Sequence, residues 1–140
     1  MTIQQVQAEV VEEFSFLKDW EERYAYLIDL GKELPLIDNQ YKTDDYLIKG
    51  CQSKVWLFAQ LADGKVLFTA DSDAIITKGI VALLVRVFSG QAPEDIAKAD
   101  TGFIDQIGLK EHLSPTRANG LVSMIEQMKR YAVAFSLMEK

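Results

Sequence analysis

The 140-residue sequence contains one cysteine and one histidine. A lone Cys51 forbids an intramolecular disulfide, which excludes the disulfide-stapled secreted class and fits a reducing cytosol. A structural zinc site takes four Cys or His ligands, so Cys51 and His112 together fall short and no metal site is expected. A Cys-x-x-Cys redox pair is missing too, so Cys51 has no resolving partner in its own chain. Positive charge is also scarce: 15 Lys+Arg stand against 21 Asp+Glu, a net of −6. Such a surface repels phosphate backbones, and with no local basic cluster no nucleic-acid partner is expected. Apolar runs are too short to cross a bilayer, and Met1 to Gln7 is polar without a basic start, so neither a spanning helix nor a signal peptide is expected. Repeats and low-complexity segments are absent.

What is present is enough for one core. Hydrophobic residues make up 49% of the chain and mean hydropathy is close to zero. That excludes a disordered chain and predicts one domain over residues 1–140. A domain of this size buries about two thirds of the surface its unfolded chain exposes.

Val6, Val10, Val11, Phe14 and Leu17 draw a helical stripe through Gln4 to Leu17. A second helix is predicted over Trp20 to Leu30, with Gly31 as its C-terminal cap. From Tyr46 to Ala70 the period shifts toward two. Val55 to Ala59 and Lys65 to Ala70 read as strands joined at the turn signal Asp63-Gly64, with Tyr46 to Lys49 as a third, shorter strand. A helix is predicted to start near Ser72 or Asp73 and to bury Ile75, Ile76, Gly79, Ile80, Leu83, Leu84, Val87 and Phe88, closing at Gly90. Pro93 suits the first position of another helix, and a short amphipathic piece, Phe103 to Ile107, ends at Gly108. Ser114-Pro115 opens the last helix, whose stripe is Leu121, Met124, Ile125, Met128, Ala132 and Phe135. The order predicts an α+β fold, a small antiparallel three-stranded sheet packed by helices.

Cys51 sits among small and polar residues with Lys49 and Lys54 nearby. An ordinary thiol is only a few per cent thiolate at neutral pH, and adjacent positive charge would raise that fraction. Gly50 allows a sharp turn and a close approach by another molecule. The alternative is a semi-buried cysteine in a loop at a strand edge. The order Cys51, His112, Asn119 invites a nucleophile, base and orienter, as in a Cys–His hydrolase or transferase. Such orders are common by chance, and the preferred reading has His112 packing at the start of a helix. Arg117 falls at the third helical position, where a capping box places Glu or Gln and where a cation opposes the helix dipole. It is either functional or reaches to a carboxylate such as Asp71 or Asp73. In Asp71-Ser72-Asp73 at least one side chain is expected to cap the central helix, leaving one free to face a partner. Paired-carboxylate chemistry is disfavoured by the i, i+2 spacing at a strand end.

The segment Gly50-Cys51-Gln52-Ser53-Lys54-Val55-Trp56-Leu57 resembles the active-site segment of the SufE-like sulfur acceptors, the cysteine desulfuration proteins. Ala70-Asp71-Ser72-Asp73-Ala74-Ile75-Ile76-Thr77-Lys78-Gly79 is similar to that family's strand-to-helix junction. Ser89-Gly90-Gln91-Ala92-Pro93, and His112-Leu113-Ser114-Pro115-Thr116-Arg117-Ala118-Asn119-Gly120-Leu121, match later signatures. Upstream, Trp20-Glu21-Glu22-Arg23-Tyr24, Leu30-Gly31 and Leu34-Pro35 also fit. The resemblance spans nearly the whole chain, in the family's order, and is least constrained after Tyr131.

The resemblance implies a single SufE-like domain, with a fold shared with IscU-type scaffolds, and a cytoplasmic role in iron–sulfur cluster assembly. A SufS-like cysteine desulfurase would form a persulfide on its own cysteine, using its own pyridoxal phosphate. Cys51 would accept the outer sulfur and pass it to an iron–sulfur scaffold, stimulating the desulfurase without any cofactor or metal of its own. The protein would then be a sulfur-transfer partner rather than a stand-alone enzyme, either a monomer or a homodimer, with no membrane partner. By the same resemblance Gly50, Gln52, Asp73 and Arg117 support the loop or meet the partner. A loop that tucks the cysteine into an apolar cavity is implied as well, with Gly50 as hinge and Val55, Trp56 and the central helix as walls. The competing classes are the Cys51–His112 enzyme and a non-catalytic interaction module in which Cys51 is incidental.

Overall fold

The computed structural model describes residues 1–138. Helix α1 (Ile3–Ser15) starts a residue earlier than its stripe implies because Thr2 and Gln5 form a reciprocal capping box. It buries Ile3, Val6, Val10 and Phe14. Asp19 caps α2 (Trp20–Lys32) by accepting from the Glu22 N–H. Gly31 is not the cap predicted for it. It lies inside the last turn, where a Cβ would sit 3.2 Å from the backbone nitrogen of Gly79. Gly79 is tighter still, since a Cβ there would overlap the Leu27 carbonyl oxygen and lie 2.6 Å from the Leu27 carbonyl carbon. The two glycines let α2 cross α3 (Ile75–Phe88) nearly backbone to backbone.

The hairpin is as the turn signal predicts. β1 (Val55–Ala62) pairs antiparallel with β2 (Lys65–Ser72), from Val55 opposite Ser72 to Ala62 opposite Lys65. Asp63 and Gly64 both take positive φ, 53° and 76°, as a primed two-residue turn requires. Val55, Leu57 and Ala59 on one strand and Val66, Phe68 and Ala70 on the other are buried. Phe58 faces outward, stacked on Tyr41 at 4.0 Å.

The predicted third strand is reduced to a single bridge, so the sheet has two strands. Asp44–Tyr46 winds as a 3-10 turn, and Gly50 at φ 93° takes the chain away again. That leaves only Leu47 to bridge Trp56, with the Ile48 N–H donating to the Val55 carbonyl at 2.9 Å.

The central helix also starts later than predicted, because β2 runs through Ser72 and Ala74 occupies the cap position without a side-chain hydrogen bond. Asp71 turns to Lys42 at 2.9 Å and Lys78 at 3.4 Å. Burial raises its carboxyl, but the Lys42 and Ser72 hydrogen bonds and the two lysine charges outweigh it and hold Asp71 below the usual carboxylate range. α3 is the core element, with Gly79 to Val85 buried without interruption. Arg86, in its last turn, reaches Glu9 at 3.0 Å and also binds Glu13 and the Tyr26 hydroxyl, tying α1 and α2 to α3. The Arg86 hydrogen bond, joined by that from Tyr26, holds the Glu13 carboxyl below its ordinary value against the effect of burial.

α4 (Pro93–Ala97) has its proline at the first position, as predicted. Two further single turns, α5 (Phe103–Gln106) and α6 (Leu109–His112), lead into α7 (Pro115–Met138), which packs on α3 and α4. α6 has no counterpart in the sequence reading: four residues are too few to show a period. Among the described residues no helix is long and apolar enough to cross a membrane.

Candidate functional site

Residues 50–54 form a loop between the Leu47 bridge and β1, held differently at its two ends. At the start, Gly50 has positive φ, and a Cβ there would overlap Ser123 Oγ and lie 3.3 Å from Ser123 Cβ. At the end, Lys54 is clamped three times. Its N–H donates to the Asp73 carboxylate at 3.1 Å, and its carbonyl accepts from the Asp73 N–H at 3.2 Å and from the Ser72 hydroxyl at 2.9 Å. Ser72 and Asp73, two of the three residues expected to cap α3, therefore pin the cysteine loop instead.

Between these anchors Cys51 is half-buried, its S–H donating to the Gly120 carbonyl at 3.6 Å. A Cβ on Gly120 would be 3.4 Å from Cys51 Sγ, so the bare backbone of α7 forms the seat. Burial pushes the Cys51 thiol up. The carbonyl acts in the same direction, since it accepts a hydrogen bond from a thiol and repels a thiolate. The sequence-based expectation that neighbouring lysines favour thiolate is thus outweighed in the seated loop, where Lys49 and Lys54 are exposed.

Beside Sγ lies a cavity of about 80 Å³. The loop contributes Gln52 and Ser53, α3 contributes Thr77 and Ile80, and α7 contributes Thr116, Arg117, Gly120 and Met124. Several waters would fit in that volume, at roughly 10–15 Å³ each on this measure. Its walls are mixed rather than apolar. Val55 and Trp56, expected as walls, lie on the sheet instead, and of the expected lining only the central helix contributes.

Gly50, Cys51, Gln52, Asp73 and Arg117 all meet at this loop or its cavity. Arg117 holds its predicted helical position, with its N–H donating to Ser114 Oγ at 3.3 Å. Its side chain is exposed, borders the cavity and forms no ion pair with Asp71, Asp73 or any other described carboxylate. His112 is not part of the group. Its ring stacks on Trp20 at 4.0 Å and its Nδ1 contacts the Gly108 carbonyl at 3.1 Å. Asn119 does not border the cavity either.

The sequence pattern assigns no site role to Thr77, Thr116 or Gly120 and places Met124 in the core stripe, although signals for them exist. The Ser114-Pro115 start fixes the phase of α7, which puts Arg117, Gly120 and Met124 on one face, and a glycine in mid-helix marks a close approach. Thr77 is the one polar residue on the buried face of α3, two residues before Gly79.

Residues 8–132 match the family model described as SufE, Fe-S metabolism associated domain. A SufE-like protein of Rhizobium meliloti is 40% identical over 129 residues, covering 89% of this chain and 92% of that protein. A SufE-like protein of Synechocystis is 38% identical over 130 residues, covering 93% and 82%. The solution structure of a hypothetical protein from Thermus thermophilus superposes with a TM-score of 0.78 at 22% identity, covering 92% of this chain and 94% of that one, a likeness of fold. With the family model spanning most of the sequence and these relatives near two-fifths identity, the chain belongs to the SufE family, associated with Fe–S metabolism.

Proposed function

We propose that the protein accepts sulfur from a cysteine desulfurase onto Cys51 and hands it to an iron–sulfur scaffold. The observation that carries this reading is the chain's one thiol, seated against a small cavity on a loop with a glycine at one end and a fixed clamp at the other. Accepting one sulfur requires one nucleophile and no further cysteine, metal or cofactor. The pyridoxal phosphate belongs to the desulfurase, and a lone thiol remains free in a reducing cytosol.

The transfer parallels thiol–disulfide exchange. The Cys51 thiolate attacks the outer sulfur of the donor's persulfide, the new Cys51 S–S bond forms, and the donor's S–S bond breaks to leave the donor thiolate. The sulfur moves as a two-electron group, so no outside oxidant or reductant is consumed. In the seat, burial and the Gly120 carbonyl both favour the protonated thiol, so attack proceeds after the loop pivots at Gly50 and Cys51 loses its proton. Asp73 and Ser72 position the loop's far end, while Gln52 and the exposed Arg117 face the docking side. Removing the donor's persulfide frees the desulfurase for its next turnover, which is how the protein would stimulate it.

The Cys51–His112 alternative draws no support, because the imidazole is engaged with Trp20 and Gly108 and lies outside the Cys51 cavity. Intact mass after incubation with a desulfurase and cysteine, without reductant, tests the reading. A species one sulfur heavier is expected, reversed by added thiol, absent in Cys51→Ser and present in His112→Ala. An unchanged mass with several desulfurases, while Cys51 still alkylates, would overturn it.

A further inference from the structure

Along its buried length α3 is apolar except at Thr77, which is 5% exposed and the one buried polar residue among those described. No hydrogen bond of the described residues engages the Thr77 hydroxyl. Nor is that oxygen sealed off, since Arg23 Nε is the only fully enclosed side-chain polar atom without a partner among the described residues. The space that Thr77 borders is the Cys51 cavity. The Thr77 hydroxyl, free of protein partners and open to this cavity, is thus a donor available to whatever occupies the space beside Cys51 Sγ.

Two helix starts flank the same space. Thr77 lies in the first turn of α3, which has no side-chain cap, and Thr116 and Arg117 lie in the first turn of α7. Helix starts carry the positive end of the backbone dipole, and Arg117 adds a full charge. The cavity therefore favours negative charge at its Thr77 side, whereas the Gly120 carbonyl favours an S–H donor at Cys51 itself.

A persulfide fits this polarity. Its S–S bond, about 2.05 Å, would carry the outer sulfur beyond Sγ into the cavity, and the inner sulfur would no longer have a proton to give to Gly120. We infer that the cavity seats the outer sulfur of the Cys51 persulfide as an anion, with the Thr77 hydroxyl donating to it and Arg117 balancing its charge. The persulfide's proton passes to solvent. Empty and loaded Cys51 thus use different partners in one seat: the thiol binds Gly120 and the persulfide anion binds Thr77. This inference rests on the acceptor reading and assigns Thr77 as a positioning residue for it.

The test loads the full-length protein with sodium polysulfide and follows iodoacetamide alkylation of the outer sulfur against pH by intact mass. A second measurement follows persulfide lifetime in glutathione. Thr77→Val keeps the shape and removes the donor. A hydrogen bond to a charged group is strong enough that this variant should raise the alkylation midpoint by about one pH unit and shorten the lifetime about tenfold. Thr77→Ser should restore both, and the midpoint of unloaded Cys51 should be the same in all three proteins. Equal midpoints and lifetimes in parent and Thr77→Val would overturn the Thr77 assignment while leaving the acceptor reading intact. So would a Thr77→Ser protein that melts like the parent yet behaves like Thr77→Val. Failure of the parent to form a persulfide with either polysulfide or a desulfurase would overturn the acceptor reading and this inference with it.

Discussion

Replacing Gly50 by alanine tests whether the cysteine loop is held in its seat by the backbone at its first anchor. The native φ of 93° lies where an L-residue is strained, at a cost of about 1–2 kcal/mol. The added Cβ also meets the Ser123 hydroxyl, which can rotate away for roughly 0.5–1.5 kcal/mol. The sum, about 2 kcal/mol, falls on the seated loop rather than on the core, since the Lys54 clamp and the Cys51–Gly120 contact do not involve Gly50. Weakening the seated state by that much raises the open fraction about 30-fold, at tenfold per 1.36 kcal/mol. Native-state alkylation of Cys51 at fixed pH reads the open fraction, and it should accelerate by that order while the urea midpoint moves little. Adding Ser123→Ala should recover the side-chain share and leave the backbone share. If Gly50→Ala alkylates within twofold of the parent, the seat does not depend on this turn and Gly50 is not the hinge.

Three other perturbations have signs set by the structure. Arg117→Glu places an acid at the third position after the Ser114 cap, completing a capping box, so thermal stability should hold or rise slightly while stimulation of the desulfurase falls. Stimulation equal to the parent's would refute the docking role. Gly79→Ala forces a methyl onto the Leu27 carbonyl, which belongs to a helix backbone and cannot rotate away, so a loss of about 3 kcal/mol and a melting point lower by roughly 10 °C are expected. An unchanged melting curve would contradict the close α2–α3 crossing. The raised Cys51 thiol gives a pH signature: its contribution to stability is complete below the ordinary thiol range near 8.5 and is lost as pH rises through the higher folded value. Urea midpoints at pH 7 and pH 10 should therefore fall more for the parent than for Cys51→Ser. Tyr26 and Tyr131, also raised by burial, are common to both proteins and cancel. Equal pH dependence would place the thiol in water.

What the sequence revealed follows the range over which each interaction acts. The Asp63-Gly64 turn, the Gln4 to Leu17 stripe and the Ser114-Pro115 start are set by residues within one or two turns of each other, and each appears within two residues of where the local pattern puts it. The misreadings depend on distant partners. Gly31 has the composition of a cap, yet it is a packing glycine because Gly79, 48 positions away, crosses it. Tyr46 to Lys49 has strand composition, but pairing needs several consecutive residues extended, and a 3-10 turn and Gly50 leave one bridge. Asp73 has the composition of a helix cap, but its carboxylate is taken by the Lys54 N–H across the end of the hairpin.

The same division runs through the site. Cys51 stood out because a lone thiol among small polar residues is chemically distinctive without any structure. Its seat did not, because the groups that define it carry little chemical identity: a carbonyl, the absence of a Cβ at Gly120, and a hydroxyl at Thr77. Gly120 lies 69 residues from Cys51, and only the packing of α7 on α3 brings both to the loop. Yet these plain groups decide how the thiol behaves. A lysine-flanked cysteine in water would be the more reactive one, whereas seated against Gly120 it is held protonated, and reactivity becomes a property of loop position. On the proposed acceptor reading that is useful, because a persulfide sulfur exposed at all times would be lost to any competing thiol. A nucleophile can be read from a residue's identity, but protection arises from geometry, and the clamp at Lys54, the turn at Gly50 and the α7 backbone supply it here.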